Sequence, residues 1–155
     1  MSREARPLDL AAAAGECHNA YVQKITSPEF NGPVPERILR ELGDQLDTAA
    51  FDYRPTVSGF RADGARFCHV RNVPTALILG HYANVPVSLL VFKRSELAHF
   101  PTTKTRLETG EAVVCSHTGR YECAVRIIDD YVVCIVAETN KDTLEGLAKS
   151  VTNKT

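Results

Sequence analysis

Hydrophobic residues repeat with one period near the N-terminus of the chain and with a different period after it. Near the N-terminus apolar side chains recur every three or four residues, which is typical of amphipathic helices. They predict one helix over about residues 9 to 25, with Asp9 as a candidate N-cap, and a shorter helix over about 35 to 42 that ends at Gly43. From Val57 the period changes to two, with β-branched and aromatic residues between turn residues, which predicts antiparallel strands.

The predicted strands are separated by short turn signals. The strands cover about residues 57–62, 65–70, 74–82, 85–92, 111–117, 121–128 and 131–137. The turns are expected at Asp63-Gly64, Arg71-Asn72, Ala83-Asn84, Thr118-Gly119-Arg120 and Asp129-Asp130. Segment 44–57 is predicted to be a loop, and segment 93–110 a polar excursion from the sheet.

A last helix is predicted over about residues 141–151, capped by Thr139 or Asn140. It would bury Leu144, Leu147, Ala148 and Val151. The predicted fold class is therefore α+β: an antiparallel β-meander sheet flanked by two N-terminal helices and one C-terminal helix. We expect a single domain over residues 1–155, with helices over about 9–42, the sheet over about 57–137 and the final helix.

Composition narrows the classes of function. The 155 residues are 44% hydrophobic and 24% charged, as in a soluble globular protein, and the net charge of −1 gives no electrostatic reason to expect nucleic-acid binding. Apolar runs fall far short of the ~20 residues that span a bilayer, so the chain itself is expected to be soluble. Charged side chains in segment 93–110 should discourage pairing of sheet edges, and a monomer or weak dimer is expected. These side chains are Lys93, Arg94, Lys104 and Arg106.

Five cysteines, three of which lie within two residues of a histidine, are the main candidates for chemistry. A three-residue turn at Thr118-Gly119-Arg120 would place Cys115 directly opposite Cys123, and the Asp129-Asp130 turn would place Cys134 diagonal to Cys123. His117 would share that face. The predicted ligand set suits zinc or monovalent copper and consists of Cys115, His117, Cys123 and Cys134, with Cys17 and His18 as further ligands.

Two other interpretations of these cysteines stay open. Free cysteine is among the most buried residue types, so the thiols could simply be core residues. A reversible disulfide between Cys115 and Cys123 is the third interpretation. A two-residue turn in place of three would put Cys115 and Cys123 on opposite faces of the sheet.

Residue patterns typical of catalytic sites are weak in this sequence. Ser88 and His81 are expected on adjacent strands, but no acidic residue is placed in the sequence to orient the histidine. The carboxylates of Asp129-Asp130 are better explained by turn chemistry than by acid-base catalysis. His18 and Tyr21 are expected to pack between the first helix and the sheet. No catalytic residue and no enzyme activity are predicted.

The order of the elements resembles a known family. The relevant segments are "CHNAYVQKITSP", "SGFRADGARF", "VPTALILGHY", "VPVSLLVF" and "YECAVRIIDDYVVCIVAETNKDTLEGLA". Together they resemble the extracytoplasmic part of membrane-anchored anti-sigma factors over about residues 17–149. The matching positions are His18, Ala20, Tyr21, Val22, Gly59, Phe60, Gly64, Arg66, Ala76, Tyr82, Ser88, Leu89, Val91, Leu144 and Ala148.

This resemblance implies a non-catalytic sensor or signalling domain on the periplasmic or extracytoplasmic side of a membrane, with a membrane-linked signalling partner. The alternative is a small metal-binding protein that uses the cysteine and histidine cluster. The sequence also departs from the family. It lacks the zinc-binding His-x-x-x-Cys-x-x-Cys module and a membrane span, has an insertion around 93–118, and carries Arg126 where the family has tryptophan.

Overall fold

The computed structural model describes residues 8–23, 30–31, 36–46 and 53–153. The α-helices are α1 (Asp9–Val22), α2 (Glu36–Gln45), α3 (Pro101–Glu108) and α4 (Lys141–Ser150), and a 3-10 helix covers Arg94–His99. The strands are β1 (Phe30–Asn31), β2 (Tyr53–Pro55), β3 (Phe60–Val70), β4 (Val73–Tyr82), β5 (Val85–Lys93), β6 (Val114–Thr118), β7 (Tyr121–Ile128), β8 (Tyr131–Ala137) and β9 (Val151–Asn153). None of the helices in the described residues is long and apolar enough to cross a lipid bilayer.

Seven strands form one antiparallel sheet in the order β1-β3-β4-β5-β8-β7-β6, and β2 pairs with β9 in a separate two-stranded sheet. β1 has only two residues, so the body of the main sheet is six strands. This body consists of two meanders, β3-β4-β5 and β6-β7-β8, which join where β5 pairs with β8. The predicted α+β class, an antiparallel sheet with helices at both ends of the chain, is confirmed.

Short turns with left-handed backbone connect neighbouring strands. Arg71 and Asn72 have φ of 52° and 68°, and Ala83 and Asn84 have φ of 51° and 65°. Two consecutive residues of positive φ match the right-handed twist of the strands that they join, as in hairpins with asparagine at the turn. The predicted turns at these two places are confirmed.

Both faces of the sheet are covered, and successive strand residues enter alternate cores. Leu90 and Phe92 pack in the core beneath α1 and α3, here called the α1 face. Leu89 and Val91 pack in the core beneath α4, here called the α4 face, to which α2 and the β2–β9 pair also contribute. The polar groups on the α1 face are therefore enclosed between a helix and a sheet.

The predicted turn at Asp63-Gly64 is wrong, because β3 continues through it. Ala62 pairs with Gly80 and Gly64 pairs with Leu79, so one extra residue, Asp63, is accommodated in β3 as a β-bulge. Asp-Gly is compatible with a turn and with a bulge, and only the pairing partner distinguishes them. The bulge redirects the Asp63 side chain, with consequences described below.

The predictions for the region between the first helices and the sheet are also partly wrong. α2 passes through Gly43 to Gln45, and the amide of the buried Leu46 donates to the carbonyl of Leu42. Segment 44–57, predicted to be a loop, contains the end of this helix and β2. β2 is only three residues long and pairs with the C-terminal β9, a distant partner that no local pattern reveals.

Segment 93–110, predicted to be a polar excursion from the sheet, contains the 3-10 helix and α3, and β6 begins only at Val114 rather than at residue 111. Leu97, Phe100 and Leu107 anchor the segment in the α1-face core. Two of the charges expected to protect sheet edges instead form ion pairs: Lys104 with Glu108 at 2.8 Å, and Arg106 with Glu111. Lys104 and Glu108 are four residues apart on α3, a spacing that brings opposite charges together on one helix surface, whereas Glu111 lies beyond the end of α3.

α1 ends at Val22, and predicted helix residues 24 and 25 lie outside the described residues. Its N-cap is Leu8 rather than Asp9. The Asp9 carboxylate instead accepts hydrogen bonds from the Thr102 and Thr103 amides at 3.1 and 3.2 Å, at the start of α3. The Asp9 amide in turn donates to Thr102 Oγ1 at 2.9 Å. The two helix N-termini therefore satisfy each other's unpaired amides.

The prediction for α4 is confirmed. Asn140 is the N-cap, and its side chain accepts a hydrogen bond of 2.7 Å from the Thr143 amide. The helix buries Leu144, Leu147 and Ala148 on the α4 face. Val151 is buried as expected, but it belongs to β9.

Candidate functional site

The polar cluster with the most unusual chemistry lies where α1 meets the sheet. His18 is 0% exposed, and its Nδ1 shares a hydrogen bond of 2.6 Å with Ser88 Oγ on β5. Its Nε2 is also buried and has no hydrogen-bond partner among the described residues. Burial lowers the pKa of His18 from 6.5 to about 4, so the imidazole is neutral at pH 7.

Aromatic rings and one amide close this cluster. The His18 ring meets Tyr121 edge to face at 4.9 Å between centroids and Tyr21 at 6.1 Å. The Tyr121 hydroxyl donates to Asn19 Oδ1 at 2.8 Å, which ties the end of α1 to β7. The expected packing of His18 between helix and sheet is confirmed, and Tyr21 is half-buried beside it. No substrate can reach His18 unless α1 moves.

A second polar group, more open to solvent, lies at the bulge in β3. The Asp63 carboxylate contacts His81 Nδ1 with one oxygen and accepts a hydrogen bond of 2.5 Å from Arg61 Nε with the other. Burial raises the pKa of Asp63, but hydrogen bonds from Arg61 and His81 outweigh it, and the pKa lies below its ordinary value. Burial, and then the Asp63 charge, raise the pKa of Tyr21 in the last turn of α1.

The contact between Asp63 and His81 was not predicted from the sequence, where His81 was expected to have no acidic partner. That expectation is wrong because the bulge turns Asp63 toward His81. An Asp-Gly pair inside an otherwise continuous run of strand residues is the one signal that could have indicated it.

The cysteines divide between the two faces of the sheet, and the predicted opposition of Cys115 and Cys123 is wrong. Thr118 pairs with Tyr121, so the turn has two residues, Gly119 and Arg120, and Cys115 lies opposite Ala124. Cys115 therefore belongs to the α4 face, while Cys123 and Cys134 belong to the α1 face. A one-residue difference in the turn inverts the face of every β6 side chain.

The predicted diagonal neighbourhood of Cys123 and Cys134 is confirmed. Their Sγ atoms are 3.2 Å apart, and both residues are 0% exposed. The hydrogen bond with Cys123, then burial, raise the pKa of the Cys134 thiol well above its ordinary value. The Cys134 thiol is therefore protonated at neutral pH while the domain is folded.

The structure does not assemble the six predicted metal ligands. His117 is exposed and precedes the β6–β7 turn, and Cys115 lies on the opposite face of the sheet from Cys123 and Cys134. Cys17 packs half-buried on the α1 face, where burial raises the pKa of its thiol. Within residues 8–23, 30–31, 36–46 and 53–153, no three His, Cys, Asp or Glu side chains are grouped so that they could hold a metal ion.

Cys68 and His69 are consecutive residues of β3, so their side chains lie on opposite faces of the strand. Cys68 packs against the α1-face core, whereas His69 is exposed.

A surface depression of about 490 Å³ lies at the other end of β5 from Ser88 and is open to solvent. Its lining consists of Lys93, Arg94, Ser95, Asp130 and Tyr131.

No family model matches the chain, and no curated protein is similar to it at a significant level.

Proposed function

We propose that this chain is a non-catalytic sensor or signalling domain, of the kind that anti-sigma factor-like regulators carry on the extracytoplasmic side of a membrane. The observation that carries the proposal is the buried hydrogen bond between His18 and Ser88, which lie 70 residues apart. Both are positions that match the family pattern. Their contact supports the resemblance because one hydrogen bond links two of the matching positions, which lie in distant segments of the chain.

Other matching positions also meet in pairs. Phe60 lies opposite Tyr82 on β3 and β4, and Ala76 lies opposite Val91 on β4 and β5. A Cβ at Gly59 would lie 3.6 Å from the Tyr82 ring, and the φ of 98° at Gly59 favours glycine. The matching residues are thus a packing framework, which favours a shared fold and a shared type of function over a shared active site.

α1 is the element best suited to carry a signal. In the family that the chain resembles, the helix with the His-x-Ala-Tyr stretch leaves the membrane, and here this stretch is the end of α1. Separate polar contacts hold the helix to the rest of the domain: Asp9 with Thr103, His18 with Ser88, and Asn19 with Tyr121. A ligand or membrane-linked partner that bound preferentially to one position of α1 would shift its docking equilibrium.

The chemistry around α1 favours signalling over catalysis. The neutral imidazole of His18 is enclosed, so it can hold a helix in place but cannot meet a substrate. When α1 moves away, His18 enters water, the buried Nε2 gains a solvent partner, and Ser88 loses its bond. The docked and undocked states therefore differ in a defined set of contacts.

The test compares transcription in the native host for four versions of the chromosomal gene. They are wild type, a deletion of this chain's coding region, Ser88→Ala and, as the matched control, Ser95→Ala, which changes an exposed serine. We expect the deletion and Ser88→Ala to change the same group of transcripts, and Ser95→Ala to change none. Immunoblotting should show equal amounts of the three proteins that retain the chain.

Unchanged transcription in the deletion strain would overturn the proposal. Protease treatment of intact spheroplasts tests the location separately, since an extracytoplasmic domain is degraded and a cytosolic one is protected. Protection of this chain under conditions that degrade a known extracytoplasmic protein would contradict the proposed side of the membrane.

A further inference from the structure

We propose that Cys123 and Cys134 form a reversible intramolecular disulfide that links β7 to β8 beneath α1. The inference does not depend on the proposed signalling function. It concerns a different pair from the one considered in the sequence, since Cys115 lies on the other face of the sheet.

The geometry of the pair carries the proposal. Cys123 lies opposite Val136 and Cys134 opposite Val125, so the two cysteines are diagonal neighbours on one face of the same hairpin. Their Sγ atoms are 3.2 Å apart, and a disulfide has a length of about 2.0 Å. The sulfurs need to approach by a further 1.2 Å or so, which the hairpin can supply by a small change of twist.

The same pair also has a restricted route of access. Both side chains are 0% exposed, and burial suppresses thiol reactivity in the closed structure. Cys123 lies on β7, which only the five-residue β6 separates from the sheet edge, whereas Cys134 lies one strand further in. Local opening of β6 therefore exposes Cys123 first, and we infer that Cys123 is the thiol that is oxidised first.

The reaction with a hydroperoxide balances without another reactant. Cys123 sulfur, as the thiolate, attacks the terminal peroxide oxygen, the O–O bond breaks, and the leaving alkoxide or hydroxide takes up a proton. The resulting sulfenic acid is attacked by the Cys134 sulfur, which forms the S–S bond and releases water. Two thiols are oxidised by two electrons in all, and the peroxide is reduced. A dithiol reductant reverses the link by thiol–disulfide exchange.

The experiment uses the full purified chain and hydrogen peroxide as the probe, at neutral pH and without denaturant. Oxidised protein is digested without reduction, and the peptides are identified by mass spectrometry. We expect a Cys123–Cys134 peptide pair that disappears on reduction. The rate of its formation should level off as peroxide concentration rises, because opening of β6 becomes limiting.

Variants separate this pair from general oxidation. Cys115→Ala is the matched control on the opposite face and should form the link as wild type does. Cys123→Ala and Cys134→Ala should not form it. If either variant fails to fold, peptide mapping of wild type and Cys115→Ala alone decides the question.

The link should also be visible in stability. Closing a loop within one hairpin raises the midpoint of thermal unfolding of the oxidised chain by about 5 °C or more relative to the reduced chain. The proposal is overturned if Cys17, Cys68 or Cys115 is oxidised while Cys123 and Cys134 stay unlinked. It is equally overturned if the recovered disulfides join other cysteines.

Discussion

His18 on the first helix and Ser88 on a central strand share a buried hydrogen bond of 2.6 Å, and the second ring nitrogen of His18 has no partner among the described residues. The imidazole is held neutral because its surroundings leave no room for hydration of a charge. Helix docking and the protonation of one histidine are therefore linked.

The first prediction concerns pH. Burial lowers the pKa of His18 from 6.5 to about 4, so the unfolded chain binds a proton there that the folded chain does not, and the free energy of unfolding falls as pH decreases between these values. The expected loss from this group is about 2 kcal/mol between pH 7 and pH 5. Urea unfolding of wild type and His18→Gln at both values measures it. An equally steep loss in His18→Gln would contradict the assignment.

The second prediction concerns the contact between α1 and α3. Asp9→Ala removes the carboxylate that accepts hydrogen bonds from the Thr102 and Thr103 amides, and it should lower the free energy of unfolding by about 0.5 to 2 kcal/mol. Asp142→Ala, in the exposed first turn of α4, is the matched control and should cost less.

The same contact has a signature in acid. Burial raises the pKa of Asp9, but hydrogen bonds from Thr103 and Thr102 outweigh this effect, so the pKa in the folded chain lies below its ordinary value of 3.8. The stabilisation is complete above the unfolded pKa and is lost as pH falls through the folded pKa. The difference in stability between wild type and Asp9→Ala should therefore shrink as pH falls below 3.8. A constant difference down to pH 2 would count against the capping role.

The third prediction compares two glycines. A Cβ at Gly80 would lie 2.3 Å from the backbone oxygen of Arg61, beside the bulge that turns Asp63 toward His81. Gly80→Ala should therefore destabilise the domain by about 1 to 3 kcal/mol. At Gly146, in the exposed part of α4, nothing lies within 4 Å of the added Cβ, and Gly146→Ala should stabilise by up to about 1 kcal/mol. Thermal unfolding of both variants tests the expected opposite signs.

The fourth prediction concerns the contact between Arg126 on β7 and the end of α4. Arg126 donates from one guanidinium nitrogen to the carbonyls of Ala148 at 3.0 Å and Lys149 at 2.9 Å, at the end of α4. A cation is favourable at a helix C-terminus. Arg126→Met should cost about 1 to 3 kcal/mol in the free energy of unfolding.

The matched control is Arg37→Met on α2. Arg37 forms an exposed ion pair with Glu41 at 3.6 Å, which contributes less than about 1 kcal/mol. Chemical denaturation of both variants at the same ionic strength makes the comparison. Equal losses in the two variants would show that Arg126 does not act as a helix cap.

The fifth prediction concerns thiol labelling. Cys115 and Cys123 lie on opposite faces of the sheet, so the labelling rate of Cys115 should not change in Cys123→Ala. Cys123 and Cys134 should be the slowest thiols to react in the folded, reduced chain, because both are fully buried. Mass spectrometry of each cysteine-containing peptide over time measures the rates. Faster labelling of Cys115 in a variant of unchanged stability would contradict the observed register.

The candidate site was only partly predictable. His18 was expected between helix and sheet because it shares a helical stripe with apolar residues, and Cys134 was expected near Cys123 because Asp129-Asp130 is a strong turn signal. The Ser88 partner of His18 and the Asp63 partner of His81 were not predicted. The first pairing joins residues 70 positions apart, and the second, between residues 18 positions apart on neighbouring strands, depends on a bulge.

The sequence pattern alone determined those helices and strands whose periodicity, caps and turn residues lie within or directly beside the element. Alternation and turn residues predict β7 and β8 to the residue, and Asn140 with the stripe of Leu144 and Leu147 predicts α4. In each case the free energy that favours the element comes from neighbouring residues, which one sequence window contains.

Only the tertiary structure decided which groups meet. The two-residue turn at Gly119-Arg120 places Cys115 on one face and Cys123 on the other, the bulge at Asp63 creates its contact with His81, and β2 exists because β9 reaches it. Strand side chains alternate with a period of two, so a single inserted or omitted residue inverts a face while leaving the local pattern unchanged. Register is therefore set by the cores on both faces of the sheet, and these cores form only when the whole chain is folded.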